Sequence, residues 1–313
     1  MNDIFQGDVL NRYNDWETPT LILSDGAYGV NGFPGDPRTP DGLGEWYRPH
    51  IEKWSEAATA HTSLWFWNTE IGWANTHPVL VQNGWKYVET VIWDKGINHI
   101  AGNVNGNTIR RFPVVTEISV LYVRPVEIQM IDGKQKTVQD WLRDEWFRSG
   151  LKLNDANVAC GVKNAASRKY FAKDHEWYMP PAEMFMKLKS YANLYGNPEG
   201  APYFVTEEEL TLEAWEKKRS VWNHTHGLTN VWSYPPLKGA ERLKVNGKPF
   251  HGNQKPITLM ERQIKATTNE GDMIWEPFGG LGSASVAAKN LGRQFSVAEQ
   301  NKDYYAALVN RLI

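Results

Sequence analysis

Three short stretches of this chain combine residue types suited to holding a small polar molecule. The first, Glu276-Pro-Phe278-Gly279-Gly280-Leu-Gly282-Ser-Ala-Ser285, leaves an apolar run, passes three glycines and enters small helix-forming residues. A strand, a glycine turn and a helix start let backbone N–H groups approach a nucleotide-like ligand. Alone, such a turn is as readily structural as functional. The second stretch, Ser-Val-Ala-Glu299, places an acid at the end of the next apolar run, where it can accept hydrogen bonds from ribose hydroxyls. Together they point to a nucleoside-containing cofactor. The third is Leu-Ile-Leu-Ser-Asp-Gly-Ala-Tyr-Gly-Val, residues 21–30, an apolar strand that stops at Asp25 and is followed by Gly26, Ala27 and the lone aromatic Tyr28. Read by itself, that stop is ordinary Asp-Gly turn chemistry.

The elements that must position these residues follow an α/β rhythm. Residues 1–125 alternate apolar strands (21–23, 63–67, 88–93, 118–123) with helical stretches at 45–60 and 77–83, which predicts a parallel-rich sheet. Residues 98–107 are rich in Asn and Gly and read as a loop, a candidate mobile one. From about 128 to 228 the pattern turns helical, with an amphipathic helix over 137–149 and a helix-turn-helix over 153–174 turning at Cys160-Gly161-Val162. Its second helix offers Lys163, Asn164, Ser167, Arg168 and Lys169 to an outside partner; a helical hairpin with solvated charges fits equally. The last 80 residues return to α/β character, with helices at 256–267, 284–290 and from 303, and strands at 273–275 and 295–298.

Composition narrows the class. A chain of 313 residues with 22% charged residues and net charge −2 is neither a disordered acidic tail nor a uniformly basic coat for nucleic acid. Within it, residues 237–265 carry seven Lys/Arg against two Glu, a local basic excess hidden by the total. The lone Cys160 leaves no internal disulfide framework and no multi-cysteine zinc site. With no N-terminal signal pattern and no apolar run of membrane length, a soluble cytoplasmic protein without metal is expected.

The stretch His251-Gly-Asn-Gln254-Lys255-Pro-Ile through Glu276-Pro-Phe278 to Gly282 resembles the cofactor segment of DNA amino-methyltransferases, in which an HPTQKP-like stretch leads to a DPF-x-G-x-G turn. Residues 1–125 and 228–313 continue the likeness. Ile-Phe-Gln-Gly-Asp8-Val9 is similar to the family's opening, and residues 24–28 fall where it has (Asp/Asn/Ser)-Pro-Pro-(Tyr/Phe/Trp). Trp93-Asp-Lys95 and Arg110-Arg111-Phe112 resemble the blocks between. The order is that of the circularly permuted β class, with the catalytic motif first, a target-recognition region next and the cofactor turn last.

The resemblance implies a Rossmann-like S-adenosylmethionine (AdoMet)-dependent methyltransferase sheet. Its parts would be a catalytic segment 1–127, a helical target-recognition insertion 128–228 and a cofactor segment 229–313. It implies that Tyr28 stacks on a base extruded from double-stranded DNA, while Asp25 and the Gly26 carbonyl accept from the exocyclic amino group, adenine N6 by preference because of the acid at position 25. AdoMet would be held by Asp8, Val9, Gln254, Lys255, Glu276, Phe278, Gly279, Gly280, Gly282 and Glu299, and DNA by Arg110, Arg111, Lys163, Asn164, Ser167 and Arg168. A cognate restriction endonuclease and a homodimer are further family partners. Two departures stand out: Gly26 and Ala27 replace both prolines of the catalytic motif, and Glu276 replaces an aspartate. A cytosine-N4 methyltransferase, a silent DNA-binding regulator, an RNA methyltransferase and a nicotinamide-dependent dehydrogenase are the alternative classes.

Overall fold

A computed structural model describes residues 2–33, 35–100, 105–174 and 176–312, so the middle of the expected 98–107 loop lies outside the described residues. The chain divides into two compact units, Met1–Arg124 with Ser220–Ile313, and Pro125–Arg219. The second boundary falls before the expected position 228. Asn223 explains this: its backbone N–H donates to Ala266 O at 2.7 Å and its side-chain amide to Thr268 O at 3.0 Å, tying the segment to the first unit.

The first unit opens with β1 (Asp3–Gln6), β2 (Leu21–Ser24), α1 (Leu43–Ala57), β3 (Ser63–Asn68), α2 (Glu70–Gln82), β4 (Lys86–Asp94) and β5 (Thr116–Val123). The second unit supplies β6 (Glu127–Gln129), β7 (Gln135–Thr137), α3 (Val138–Arg148), α4 (Leu153–Cys160), α5 (Ala182–Tyr195) and α6 (Leu212–Glu216). The chain then resumes the first unit with β8 (Val231–Ser233), β9 (Lys244–Val245), β10 (Lys248–Pro249), α7 (Ile257–Thr267), β11 (Met273–Glu276), α8 (Ser283–Asn290), β12 (Gln294–Glu299) and α9 (Lys302–Leu312). Helix α2 begins well before the expected His77, because Thr69 Oγ1 accepts from Gly72 N at 3.2 Å and caps a turn whose polar residues hide its periodicity.

Eight strands form one sheet in the order β1-β12-β11-β2-β3-β5-β4-β8. Every neighbouring pair is parallel except those of β5, which runs antiparallel to both β3 and β4. The carboxyl ends of β1, β12, β11, β2, β3 and β4 therefore share one edge with the amino end of β5. The fully buried strands β2, β3 and β11 serve two cores by alternation. Ile22, Leu64, Phe66 and Trp275 pack on one face against Tyr47, Ile51 and Trp54 of α1. Leu21, Leu23, Trp65, Trp67 and Ile274 pack on the other against Leu259, Ile264, Ala284 and Leu308 of α7, α8 and α9.

The second unit has its own core of Trp141, Trp146, Phe185, Tyr203 and Trp215, in which Phe185 and Trp215 stack with centroids 3.8 Å apart. Much of the chain's tryptophan is thus structural. The expected helix-turn-helix is only half present. Helix α4 ends at Gly161 in the left-handed conformation, but the second helix shrinks to a five-residue π-helical turn, Ala166–Tyr170. Asn157 is the cause: it accepts from Ser167 N at 3.0 Å and donates to Ser167 Oγ at 2.8 Å, drawing that turn onto α4. Among the described residues no helix is long and apolar enough to cross a membrane.

Trp275 joins the chain's two ends: its indole donates to Glu17 O at 2.8 Å and stacks on Tyr13 at 5.5 Å. Trp275→Ala is expected to cost about 3–5 kcal/mol, the usual penalty for emptying a buried aromatic site. Urea unfolding followed by intrinsic fluorescence measures it, and a midpoint unchanged from wild type would refute the tie.

Candidate active site

Asp25 follows β2 directly, so the sheet fixes its backbone, and its neighbours come from three other elements. Lys255 Nζ lies 2.7 Å from Asp25 Oδ1, 3.2 Å from Glu117 Oε2 and 3.0 Å from Tyr28 Oη, with its side chain only 3% exposed. The Tyr28 hydroxyl donates to Asp25 Oδ1 at 2.9 Å. Glu117 Oε1 pairs in turn with Lys95 Nζ at the end of β4. Two carboxylates and two ammonium groups thus surround one phenol with no net charge.

Burial and neighbouring charges shift Lys255, Glu117 and Tyr28. Burial opposes the charge on Lys255, but Asp25 and Glu117 outweigh it and raise its pKa. Burial pushes Glu117 up, yet Lys255 and Lys95 bring it below the usual carboxylate range. Burial first, then Asp25 and Glu117, raise Tyr28 well above the ordinary phenol value, so it remains a donor. Asp25 Oδ2 and the Gly26 carbonyl accept no hydrogen bond among the described residues. They are two adjacent open acceptors beside a half-buried aromatic ring.

Gly26 and Ala27 are held without proline rings. Ala27 O accepts from Tyr47 Oη at 3.0 Å and from Asn68 Nδ2 at 2.9 Å. A Cβ on Gly26 would stand 2.6 Å from Phe278 Cδ2 and 2.8 Å from Tyr47 Oη. Phe278 has taken the space that a side chain at position 26 would need, and it packs on Trp46 and His50 at 5.4 and 5.0 Å.

The glycine turn lies along the same edge. One side is packed tight, since a Cβ on Gly279 would meet Val297 at 2.6 Å and one on Gly282 would meet Leu308 at 2.9 Å. The other side is open: Gly280, at φ +52°, would bring a Cβ no nearer than 3.7 Å to His251. Glu299 frames that opening, accepting from Gly280 N at 2.7 Å and Asn301 N at 2.6 Å. Pairing of β1 with β12 sets Gln6 opposite Glu299, so Gly7 N reaches Glu299 O at 3.0 Å and Asp8 follows alongside. A backbone cradle with carboxylates at the ends of two adjacent strands fits an adenosine-type ligand.

Several expected contacts are used otherwise. The Glu276 carboxylate is buried and accepts from Ala284 N at 3.0 Å and Ser285 N at 2.7 Å, capping α8, with burial pushing its pKa up to about 7. The extra methylene relative to aspartate reaches the helix rather than a ligand. Gln254 spends its amide on Leu243 N at 3.1 Å and Glu241 O at 2.9 Å. The Val9 side chain is core. Lys255 joins the Asp25 cluster, and with its side chain buried it is lost to the exterior basic excess of residues 237–265. Glu117 and Lys95 were missed from sequence. Glu117 opens an apolar strand like many surface acids, and only the reversed direction of β5 carries it to the active edge.

The nucleic-acid candidates are dispersed. Arg110 and Arg111 are exposed on the β4–β5 connection, Arg110 Nη1 donating to Ile109 O at 2.9 Å. In the second unit Lys163 and Asn164 are exposed and Arg168 pairs with Glu176 at 2.6 Å. Ser167 is committed to Asn157 and is not available to an outside partner.

The chain is similar to known proteins. A family of N6/N4 methyltransferases, described as DNA methylase, matches residues 19–310. The chain is 42% identical over 85 residues to type II methyltransferase M2.DpnII of Streptococcus pneumoniae, covering 27% of this chain and 30% of that protein. It is 35% identical over 100 residues to M.HindIII of Haemophilus influenzae, covering 32% and 31% respectively. The matched part thus spans less than a third of either curated relative. In fold, it is similar to M1.HpyAVI in its SAM complex (TM-score 0.55, 17% identity, 100% and 99% covered). It is also similar to the cytosine-N4-specific PvuII DNA methyltransferase (TM-score 0.54, 12% identity, 100% and 87% covered).

The Phe278 niche gives a direct test. Gly26 does not hold a positive φ, so Gly26→Ala meets only the steric conflict with Phe278 and Tyr47. It is expected to cost about 1–3 kcal/mol as an overpacked site. Chemical denaturation reads this, and an unchanged stability would show that Phe278 yields freely.

Proposed function

Because the chain belongs to the N6/N4 DNA methylase family, we propose that it transfers a methyl group from AdoMet to the exocyclic amino group of a base extruded from duplex DNA, adenine N6 being the acceptor. One observation carries the reading. Asp25 is anchored through Oδ1 by Lys255 and Tyr28, while Oδ2 and Gly26 O remain open as neighbouring acceptors. An amino group has two hydrogens, and two fixed acceptors orient its nitrogen lone pair in one direction. AdoMet, when bound, supplies an electrophilic sulfonium methyl, so fixing the geometry of attack is the main task left to the protein.

The residues divide that task. The Gly279–Gly282 turn leaves open space beside Gly280, whose N–H is held by Glu299 at the rim, with Asp8 alongside for the adenosine part. Tyr28 presents a ring on which a base stacks, and the bonds of its hydroxyl hold the ring's angle. Lys255 fixes Asp25 by gripping Oδ1 within a half-buried site. Extrusion is required because an amino group within the stack cannot reach a protein-bound donor. Arg110, Arg111, Lys163, Asn164 and Arg168 are our candidates for DNA contact, the second unit serving target recognition. The carboxylate at position 25, where the resembling cytosine-N4 enzymes usually have serine or threonine, favours adenine.

Incubating the protein with labelled AdoMet and unmethylated genomic DNA, then digesting to nucleosides, is expected to yield 6-methyladenine. 4-Methylcytosine would keep the enzyme class and change the acceptor; no methylated nucleoside at saturating donor would end the methyltransferase reading. Asp25→Ala is expected to lower kcat at least about 100-fold, by analogy with the loss of one oriented polar group in other active sites.

Lys255→Met removes the countercharge shared by Asp25 and Glu117. The depressed pKa of Glu117 favours the folded state above its unfolded value of 4.5, and that contribution is lost as pH falls through the lower folded value. Without Lys255, Glu117 takes up its proton at higher pH. The acid limb of the kcat profile is therefore expected to move upward in Lys255→Met, and an unmoved limb would exclude this electrostatic role.

A further inference from the structure

The β4–β5 connection leaves the active edge at Lys95 and returns at Glu117, and both ends are pinned: Lys95 N donates to Val115 O at 3.0 Å and Lys95 Nζ pairs with Glu117. Among its described residues it shows solvent an unusual set of apolar side chains. Phe112 is 94% exposed, and Ile97, Ile100 and Val114 are exposed as well. Single exposed apolar residues are commonplace, but four on one connection rooted in a charged active centre call for a partner. Phe112 has the highest exposure of any large apolar side chain among the described residues. It sits between the exposed guanidinium of Arg111 and Pro113, whose ring restricts the backbone behind it.

We infer that Phe112 is a wedge that enters the duplex and stacks in the gap left by the extruded base, with Arg110 and Arg111 on the flanking phosphates. The inference rests on the proposed methyltransferase activity. A flat apolar ring flanked by cations matches the chemistry of a base step, with its apolar interior bounded by phosphates. Ring–base stacking tolerates any sequence, so a wedge needs no base-specific groups, and Phe112 has none. The anchoring of the connection at Lys95 and Glu117 places the wedge on the element that holds Lys255, and through it Asp25. Entry of the ring and capture of the base would thus occur at the same edge of one sheet.

The test uses the whole protein and a synthetic duplex carrying the site mapped in methylated genomic DNA. For the fluorescence reading the target base is replaced by its analogue, 2-aminopurine for adenine or pyrrolo-cytosine for cytosine; kcat/KM is read on the unmodified duplex, since the analogues lack the acceptor amino group. Phe112→Ala is expected to reduce the fluorescence rise on binding and to lower kcat/KM roughly tenfold, the scale of one lost base–ring stack. Phe112→Trp retains both. On a duplex whose target base is already mismatched, Phe112→Ala is expected to match wild type, since little remains for the wedge to do. Equal behaviour of Phe112→Ala and wild type on the matched duplex overturns the wedge, as does an equal defect on both duplexes. So does loss of self-association by gel filtration with DNA kinetics unchanged, which would assign the ring to a second copy of the chain. A wild-type protein that methylates no DNA overturns the underlying activity, an outcome distinct from failure of the wedge alone.

Discussion

An ammonium group shut away from water is costly unless carboxylates meet it closely, and removing one partner of such a cluster leaves an uncompensated buried charge. Lys255 is in that position, and much of the arrangement around it follows. Its two carboxylate partners and one phenol come from the end of β2, the turn after it and the start of β5, while Lys95 balances the second acid from β4. Four segments distant in sequence must therefore arrive at one point with matched charge. The reward is a carboxylate whose one oxygen is immobilised and whose other is free. Chemistry that depends on aiming a neutral nitrogen benefits more from that fixity than from a strong base.

The reversed strand β5 is the architectural counterpart. In a wholly parallel sheet, the residue at the start of a strand lies at the edge away from the ligand site. Turning β5 around brings the beginning of that strand, and so Glu117, among the endings of the others. It also makes the β4–β5 connection begin and finish at the same edge, so that a long excursion there is presented on the active side.

Much of the first unit was legible in the sequence because strands buried on both faces are written as short apolar runs. Leu21–Leu23, Ser63–Trp67, Ile118–Val123 and Met273–Trp275 were all visible in that way, as was the turn Gly279–Gly282. Three kinds of feature were not. Strand direction leaves no mark on a strand's own residues, so Glu117 was hidden. Side chains that serve the backbone look like ligand contacts at this level: Glu276 and Gln254 stand among motif residues, yet one caps a helix and the other braces a loop. The second half of the helix-turn-helix failed for a related reason. Its serine suited a groove-facing helix, but Asn157 had prior use of it.

The sheet order carries a consequence for how the protein comes into being. Strands β12 and β11 lie between β1 and β2, so the first two strands to leave the ribosome are not joined to each other through the sheet until the last two are made. The amino-terminal part of the unit must wait, with β1 unpaired and one edge of β2 uncovered, through synthesis of the whole 125–219 unit, which has a separate core and can close meanwhile. Nascent chains in that interval are the stage most exposed to aggregation and most in need of chaperones. A ribosome that stops short of Met273 releases a chain that has Asp25 and Lys255 but lacks the strand meant to lie beside β2.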